Sequence, residues 1–313
     1  PYVNYDRSIG LQGGALPMVL FNPVASDTIS PSSIASAFGM YSTNDTWFVS
    51  AFAKVHLAED DWRLATAWAT GSYNFQFYLE SPIDSWIPYN TEMSVGLLQV
   101  QRRIWQKLYL GVNYVHLEFE TAVDSLPATQ EDVLDGLGLN LDLDRREGVY
   151  YPRGGSQSKL RYSAYPDALG NEDPNARLEF ETNVYRSVNE SDVIAARLYG
   201  GAGLGDLTFN QQFVVGGRQD LRGYTQGEYR GEQMVALQGE YRWNFHDRFG
   251  AVGFGGLATV FGSLNEEDDG TMLPAIGTGI RFTADTETNL NVGLDIAWGR
   301  GDWGLYFKFG EAF

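Results

Sequence analysis

The chain of 313 residues contains no cysteine, which excludes disulfide bonds, thiol catalysis and thiolate metal sites. It also contains no run of about 18 apolar residues, so the sequence predicts no transmembrane helix. Basic residues are scarce, because 22 Lys and Arg stand against 40 Asp and Glu, and the formal net charge is −18. A nucleic-acid-binding domain needs a basic surface, so this charge argues against nucleic acid as a partner.

Catalytic motifs are scarce as well. The three histidines, His56, His116 and His246, lie far apart without the spacing of metal ligands, and no Gly-x-Ser-x-Gly elbow occurs. We therefore expect no metal, no cofactor and no enzymatic activity. A lipid-acting enzyme with a Ser/His pair assembled across strands stays open as an alternative. The chain starts at Pro1 without a signal peptide, so we expect it to be mature, trimmed or never exported.

What the sequence does contain is apolar alternation with a period of two, the pattern of strands with one apolar and one polar face. The last segment places its apolar side chains on one face: Trp303, Leu305, Phe307, Phe309 and Phe313. Fourteen strands are predicted in this way, of which 91–105 and 249–261 alternate poorly. They cover residues 32–42, 46–57, 62–79, 91–105, 108–120, 134–145, 156–165, 176–187, 191–202, 232–243, 249–261, 274–283, 288–298 and 303–313.

The first residues complete the strand count. Residues 5–24 hold either one long strand or a hairpin that turns at Gly13-Gly14, and a single-chain antiparallel barrel needs an even number of strands. We prefer the hairpin, which gives sixteen. A soluble β-sandwich would also alternate, but this many two-faced strands favour an all-β transmembrane antiparallel β-barrel of 16 strands, as one domain over residues 1–313. Its apolar faces meet lipid and its polar faces line the lumen. On one strand this predicts Leu137, Leu139, Leu141 and Leu143 outside, and Asn140, Asp142 and Asp144 inside.

One connection is much longer than the others. Short turns are predicted near residues 244–248 and 284–287, and longer loops near 165–175, 203–231 and 262–273. The loop 203–231 has no strand pattern of its own, and a loop of that length in a compact domain is usually functional. It contains two glycines, four further residues, and then an Arg-Gly-Tyr run: Gly216, Gly217, Leu221, Arg222, Gly223 and Tyr224.

This pattern resembles the signature of the bacterial surface antigen superfamily, whose BamA-like barrels include the outer-membrane protein assembly factor, chloroplast import channels and two-partner secretion transporters. A second run resembles the periplasmic turn of that family, with Glu in place of an Asp: Asp144, Arg146, Glu147, Pro152 and Gly155. Gly310 and Phe313 fit its terminal Gly-x-x-aromatic signal. The resemblance covers residues 134–313 well and extends loosely towards Pro1.

The resemblance implies a barrel whose long loop, 203–231, is directed into the lumen. Arg222 would lie at the tip of this loop, with Glu240 on the inner wall as its partner. A family run of Phe-x-Asp-x-Gly has Gly256 at the Asp position here, so a second acidic partner for Arg222 is in doubt. Family members usually carry POTRA modules before the barrel. Almost nothing precedes the first predicted strand, so we expect a cut-down barrel or a protein that lacks those modules.

The resemblance also implies a location and a role. We expect the outer membrane of a Gram-negative bacterium, with the lipid bilayer and lipopolysaccharide around the barrel. The implied role is insertion or translocation of proteins, with client proteins and periplasmic or lipoprotein partners. The first and last strands should meet at a weak seam, where Gly310 lets the last strand bend. A passive pore, or a structural subunit of an envelope complex, stays open as the alternative function.

Overall fold

The computed structural model describes residues 2–6, 9–80, 84–123, 129–148, 151–216, 221–285 and 290–313. Over these ranges the chain forms a closed antiparallel β-barrel of sixteen strands, which confirms the predicted fold. The strands are β1 (Tyr2–Asp6), β2 (Gly10–Ala15 and Met18–Phe21), β3 (Ser33–Ser42), β4 (Trp47–Leu57), β5 (Trp62–Leu79), β6 (Ser85–Trp105), β7 (Leu108–Val123), β8 (Thr129–Asp144), β9 (Gly155–Tyr165), β10 (Asn175–Ser187), β11 (Val193–Leu204), β12 (Gln233–His246), β13 (Phe249–Phe261), β14 (Leu273–Asp285), β15 (Leu290–Trp298) and β16 (Trp303–Phe309).

Each strand pairs with its neighbours in the sequence, and β1 pairs with β16 to close the ring. Consecutive connections therefore lie at opposite ends of the barrel. The turn end carries the short turns at 58–61, 106–107 and 247–248, and the loop end carries the loops at 166–174, 205–232 and 262–272. Of the residues described, none belongs to a helix long and apolar enough to cross a membrane.

The hairpin turn predicted at Gly13-Gly14 is wrong, although the count of sixteen holds. Both glycines lie inside β2 and pair with β1, so neither marks a turn. Gly14 allows β2 and β3 to approach closely, because a Cβ there would lie 2.2 Å from the backbone oxygen of Gly39 on β3. β2 is interrupted at Pro17, which has no N–H to give to the ladder, and then continues along β3.

The faces of the strands follow the alternation, with one informative exception. On β8, Leu139 is 55% exposed on the outside while Asn140 is 6% exposed on the inside, which confirms the predicted orientation. β13 alternates poorly because its inward residues are apolar too. Ala258 and Val260 are buried against the loop 205–232, which lies inside the barrel, so this strand has no polar face at that level.

The position predicted for Phe313 is also wrong. β16 ends at Phe309, Gly310 adopts a φ of +71°, and the chain turns into the barrel. Phe313 packs on the inner wall against Tyr185 and Val193, so it does not share the outer face of β16. The bend expected at Gly310 is present. It moves the last aromatic ring from the outside to the inside.

Candidate functional site

The loop between β11 and β12 lies inside the barrel and brings its own small structure with it. A 3₁₀ turn covers Phe209–Gln211, and two short strands, Phe213–Val214 and Arg230–Gly231, pair with each other. Apolar residues of the loop form a buried cluster with the inner wall of β12, β13 and β14: Leu207, Phe213, Val215, Leu221, Tyr224, Met234, Ala236, Ala258, Val260 and Leu273. The loop is therefore fixed by apolar packing, which removes these side chains from water.

Arg222 lies at the centre of the loop contacts with the wall, and its side chain is fully buried. Its Nη2 lies 3.1 Å from Oε2 of Glu240 on β12, and its Nη1 lies 2.5 Å from Oδ2 of Asp295 on β15. The guanidinium also stacks on Phe254 of β13, 3.4 Å from the ring centroid. A planar guanidinium suits this site because it can bind two carboxylates at its edges and an aromatic ring on its face.

The glycine at the family's Asp position has a structural reason in this chain. A Cβ on Gly256 would lie 2.8 Å from the Leu221 side chain and 2.6 Å from the Leu237 backbone oxygen. The space beside β13 is therefore occupied by the loop itself. The second carboxylate for Arg222 comes from Asp295 on β15, two strands after Gly256. Arg222 therefore does have a second acidic partner, although the family motif does not contain that residue.

The other residues of the loop motif hold its backbone close to the wall. Gly223 has a φ of +107°, and a Cβ there would lie 2.8 Å from the backbone carbon of Trp298. Its N–H donates to the hydroxyl of Tyr306 on β16 at 2.9 Å. The Tyr224 hydroxyl donates to the Pro274 backbone oxygen at 2.6 Å. Gly216 also has a positive φ, of +112°, whereas Gly217 lies outside the described residues.

The contacts of Arg222 continue into a closed circuit of buried charges, here called the ion ring. Arg222 binds Glu240 and Asp295, Asp295 binds Arg281 at 2.5 Å, and Glu240 binds Arg242 at 2.7 Å. Glu311 completes the circuit, 2.9 Å from Arg281 and 4.0 Å from Arg242, and Lys308 lies 2.8 Å from Asp295. Within the described part of the chain the ring has four cations and three carboxylates, each at most 3% exposed: Arg222, Arg242, Arg281, Lys308, Glu240, Asp295 and Glu311.

The family motifs indicated only Arg222 and Glu240 of this ring. Arg242, Asp295 and Lys308 each lie on the polar face of a predicted strand, so alternation places them inside the barrel. It does not pair them, because the pairing depends on the register and curvature of five neighbouring strands. The sequence pattern did not indicate Glu311 for a different reason, because Glu311 reaches the ion ring only through the bend at Gly310.

The predicted periplasmic turn, residues 145–154, lies at the turn end of the barrel. Both oxygens of Asp144 accept hydrogen bonds from Arg146, at 2.9 and 3.0 Å. The backbone N–H of Glu147 donates to Gly154 at 2.9 Å, and Pro152 is buried. Gly155 has a φ of +85° and leaves no room for a side chain, because a Cβ would lie 2.0 Å from the Arg145 backbone oxygen. These contacts hold the described residues of the motif together.

A second group of buried charges at the turn end was missed by sequence reasoning. Asp60 accepts hydrogen bonds from Nε and Nη2 of Arg63, at 2.9 and 2.7 Å, and from the Tyr109 hydroxyl at 2.5 Å. His56 Nδ1 lies 2.8 Å from the same carboxylate, and Arg63 Nη1 lies 3.5 Å from Asp144. The members come from β4, β5, β7, β8 and the turn at 58–61, so no linear motif marks them.

The connection 22–32, between β2 and β3, contacts the turn at 58–61. Asp27 accepts hydrogen bonds from the Ser30 backbone at 2.9 Å, from the Ser30 hydroxyl at 2.7 Å and from the Glu59 backbone at 2.9 Å. The Ser30 backbone N–H, followed by the other two donors, lowers the pKa of the Asp27 carboxyl to about 2. These bonds hold a strained segment, because Ala58, Glu59 and Asp60 all have positive φ.

The seam between β1 and β16 is much shorter than its neighbours. Among the described residues one Cα pair, Tyr5 with Leu305, joins these strands, whereas seven pairs join β15 to β16. A hydrogen bond of 3.4 Å from the Phe307 N–H to the Asn4 side chain and a ring contact of 5.7 Å between Tyr5 and Trp303 add to the seam. Over the described residues the seam therefore has fewer ladder pairs than the β15–β16 contact, and its weakness stays a prediction.

The architecture is thus a sixteen-stranded barrel with a long loop bound inside it through a buried arginine, the class that the surface-antigen resemblance implies. Residues 32–313 match the Omp85 superfamily domain, and the chain belongs to this superfamily. A search of curated proteins found no sequence that matches the chain. Within the described ranges, no group of three or more His, Asp or Glu side chains is arranged to hold a metal ion.

Solved structures with the same fold include three outer-membrane proteins. BamA from Haemophilus ducreyi lacking POTRA domains 1–3 has a TM-score of 0.64 and 16% identity, over 98% of this chain and 68% of that one. CdiB from Acinetobacter baumannii has a TM-score of 0.68 and 14% identity, over 98% of this chain and 58% of that one. CdiB from Escherichia coli has a TM-score of 0.70 and 11% identity, over 98% of this chain and 61% of that one. The chain therefore spans less than two thirds of either CdiB chain, and at these identities the likeness shows the fold alone.

Proposed function

We propose that this chain is a single barrel domain in the outer membrane of a Gram-negative bacterium, where it inserts or translocates proteins through the seam between β1 and β16. Its partners would be the lipid bilayer with lipopolysaccharide, client proteins, and periplasmic or lipoprotein factors that deliver the clients. The mechanism needs no cofactor and no enzymatic step. The observation that carries the proposal is the seam, where two strands face each other and share one Cα pair.

The outer wall supports a location in lipid. Apolar side chains are exposed on strands all round the barrel, among them Val49, Leu98, Val112, Leu139, Leu237, Ile276 and Ile280, with exposed fractions from 41% to 67%. A soluble monomer rarely exposes an apolar surface that continues in this way. Near the turn end four exposed rings form two contacting pairs, Trp243 with Phe245 and Phe249 with Phe282, as in the aromatic girdle of a membrane barrel.

A seam with a short register suits strand addition. An incoming strand can extend the ladder from an edge that separates, because unpaired backbone groups are costly in lipid. The two strands of the seam differ in how many contacts hold them to the rest of the barrel. β16 is bound to the interior through Tyr306, which accepts from Gly223, and through Lys308 beside Asp295. β1 contacts β2 over five Cα pairs and β16 over one, so we expect the β1 edge to separate first.

The test is a disulfide across the seam, in a chain that has no other cysteine. Tyr5→Cys with Leu305→Cys joins the facing Cα pair of the seam. Ile296→Cys with Leu305→Cys is the matched control, because it shares one position and joins β16 to β15 at another facing pair. Each protein is placed in liposomes, and folding of a urea-unfolded small outer-membrane barrel is followed by its heat-modifiable migration on gels.

We expect the unmodified barrel and the control disulfide to accelerate folding of the client. The seam disulfide should abolish the acceleration, and a reductant should restore it. If the barrel locked at its seam stays fully active, lateral opening is not the mechanism. If the unmodified barrel gives no acceleration, insertion is excluded and the passive pore or structural subunit becomes the better interpretation. The loop packed in the lumen already opposes an open pore, so conductance should be low.

A further inference from the structure

The segment Gly310–Phe313 occupies a site inside the barrel that is built like a receptor for a peptide. After β16 the Gly310 N–H donates to the Asn291 backbone oxygen at 2.7 Å, and the positive φ of Gly310 directs the next residues into the lumen. The segment then contacts two separate pockets, one charged and one apolar. Each pocket is formed by strands distant from the segment in sequence, so both belong to the wall.

The charged pocket holds the carboxylate of Glu311. Arg281 Nε donates to it at 2.9 Å and Asn291 Nδ2 at 2.8 Å, while Arg242 Nε lies 4.0 Å away. Without Glu311 the ion ring would keep four cations and two carboxylates, so the wall at this point needs an anion. Arg242 Nη1 and Arg281 Nη2 are buried without a hydrogen-bond partner among the described residues, which leaves donors for an oxygen placed between them.

The apolar pocket holds the ring of Phe313. It is formed by Tyr185 of β10 and by Val193 and Ala195 of β11, all buried, with Tyr151 beside them. Arg242 joins the two pockets, because its Nη2 donates to the Phe313 backbone oxygen at 2.8 Å while its Nε serves Glu240. An acidic side chain, a small residue and an aromatic ring are thus recognised together, at a spacing set by the wall.

The site is open on one side. A cavity of about 320 Å³ borders the whole segment Gly310–Phe313 and is also lined by charged residues of the wall: Arg146, Lys159, Arg197 and Glu181. Glu311 and Phe313 are only partly buried as residues, although the Glu311 carboxylate is enclosed. The segment can therefore leave the pockets without the barrel opening, and another peptide has room to enter.

We propose that these pockets form a receptor for a short peptide of a second polypeptide, with an acidic residue two positions before an aromatic one. Glu311-Ala312-Phe313 is the intramolecular occupant that blocks the receptor until it is displaced. The claim concerns peptide binding, so it holds or fails independently of insertion through the seam. The cis segment shows which chemistry the pockets accept, and its attachment to β16 gives it a high effective concentration.

The experiment uses the full chain in detergent and a fluorescent peptide with the sequence of residues 308–313. The wild-type barrel should bind it weakly, because its own segment competes. The double variant E311A/F313A removes both side chains from the pockets and should bind the peptide about tenfold more tightly or better. The same peptide with Gln for its Glu, or Ala for its Phe, should lose that gain. Arg281→Gln in the emptied barrel should lose it too, with heat-modifiable migration as the check that the barrel is folded.

A second measurement keeps the proposal testable if the Arg281 variant does not fold. In a peptide with benzoylphenylalanine in place of Phe, photocrosslinks to the emptied barrel should map to β10 and β11, near Tyr185 and Val193. Crosslinks to β1 would show that the peptide pairs with the seam edge, and would overturn the proposal. Equal binding by wild-type and emptied barrels, or equal binding of the Gln peptide, would overturn it as well.

Discussion

The inner wall of the barrel has two halves with different chemistry. From β12 to β16 it carries the ion ring, and the loop 205–232 covers that ring with apolar packing. On β1 and β3–β5 it carries a row of neighbouring rings, here called the aromatic row: Tyr2, Phe38, Phe48, Tyr73 and Phe75. Consecutive centroids lie between 4.9 and 6.0 Å apart. The charged half is held by charge-assisted hydrogen bonds, and the aromatic half by ring contacts that each contribute about 0.5–1.5 kcal/mol beyond burial.

The seam lies where these two halves meet. β16 belongs to the charged half through Lys308 and Tyr306, and β1 belongs to the aromatic half through the contact of Tyr2 with Phe38. The two edges of the seam are therefore held by interactions of different kinds. This is the physical basis for expecting that the β1 side moves while the β16 side stays, and the predictions below test the contrast.

The largest effect is expected from Arg222→Ala in the charged half. The change leaves Glu240 and Asp295 buried with fewer cations, and removing one partner of a fully buried pair costs roughly 3–5 kcal/mol. The loop should become sensitive to proteases, and the thermal unfolding midpoint should fall. Arg161→Ala is the control, because its ion pair with Glu179 at 3.2 Å lies on a side chain that is 48% exposed. Such a pair contributes about 0–1 kcal/mol. Equal losses for the two variants would refute the special role of the ring.

Much of the fold followed from the sequence because one rule, alternation, acts on every strand. It gave the fourteen segments from residue 32 onwards, and it placed Leu139 outside and Asn140 inside. Alternation failed to predict the structure where a strand packs against the lumenal loop or unusually close to the next strand. β13 faces the loop, and so has no polar side. Gly14 faces a close strand, so it marks no turn.

The site was less predictable for a related reason. The motif gave Arg222, and the polar face of the next strand gave Glu240. Asp295 and Arg281 contribute only because several registers bring their strands round to the loop. Glu311 depends on a single positive φ at Gly310, which changes the side of the wall on which the following residues lie. Alternation contains no information about such a reversal.

The second prediction compares the outside of the charged half with the outside of β8, which lies between the two halves. Leu139 on β8 and Leu237 on β12 are 55% and 51% exposed on the outer wall. If both face lipid near its midplane, Leu139→Arg and Leu237→Arg should each cost roughly 2–4 kcal/mol in folding into bilayers. Similar costs would show that the outer wall is uniform between these strands, although the inner wall is not. Glu131→Arg, at an exposed position near the loop end, is the control and should cost about 0–1 kcal/mol because it lies near the interface. No cost at either leucine would contradict the membrane location.

A smaller effect is expected in the aromatic half from Phe38→Ala. It removes the ring contacts with Tyr2 and Phe48, each worth about 0.5–1.5 kcal/mol beyond burial. Because Tyr2 belongs to β1, the variant should also loosen the seam. In the Tyr5→Cys/Leu305→Cys background, disulfide formation should become slower and less complete. Phe180→Ala, on the outer wall at 39% exposure, should leave that rate unchanged. A loss as large as that of Arg222→Ala would remove the contrast between the halves.

The smallest effect concerns Asp27, which supports the turn end of the aromatic half from the connection 22–32. Its pKa is lowered to about 2 from 3.8, first by the Ser30 backbone N–H, so the folded state favours the carboxylate. A depressed carboxyl pKa stabilises the fold above about pH 4, and this contribution is lost as pH falls towards 2. Asp27→Asn should flatten the decline of the unfolding midpoint between these pH values and change little at pH 7. Asp206→Asn removes an exposed charge from the loop end and serves as the control. If both variants decline as steeply as the wild type, Asp27 does not hold the turn through its charge.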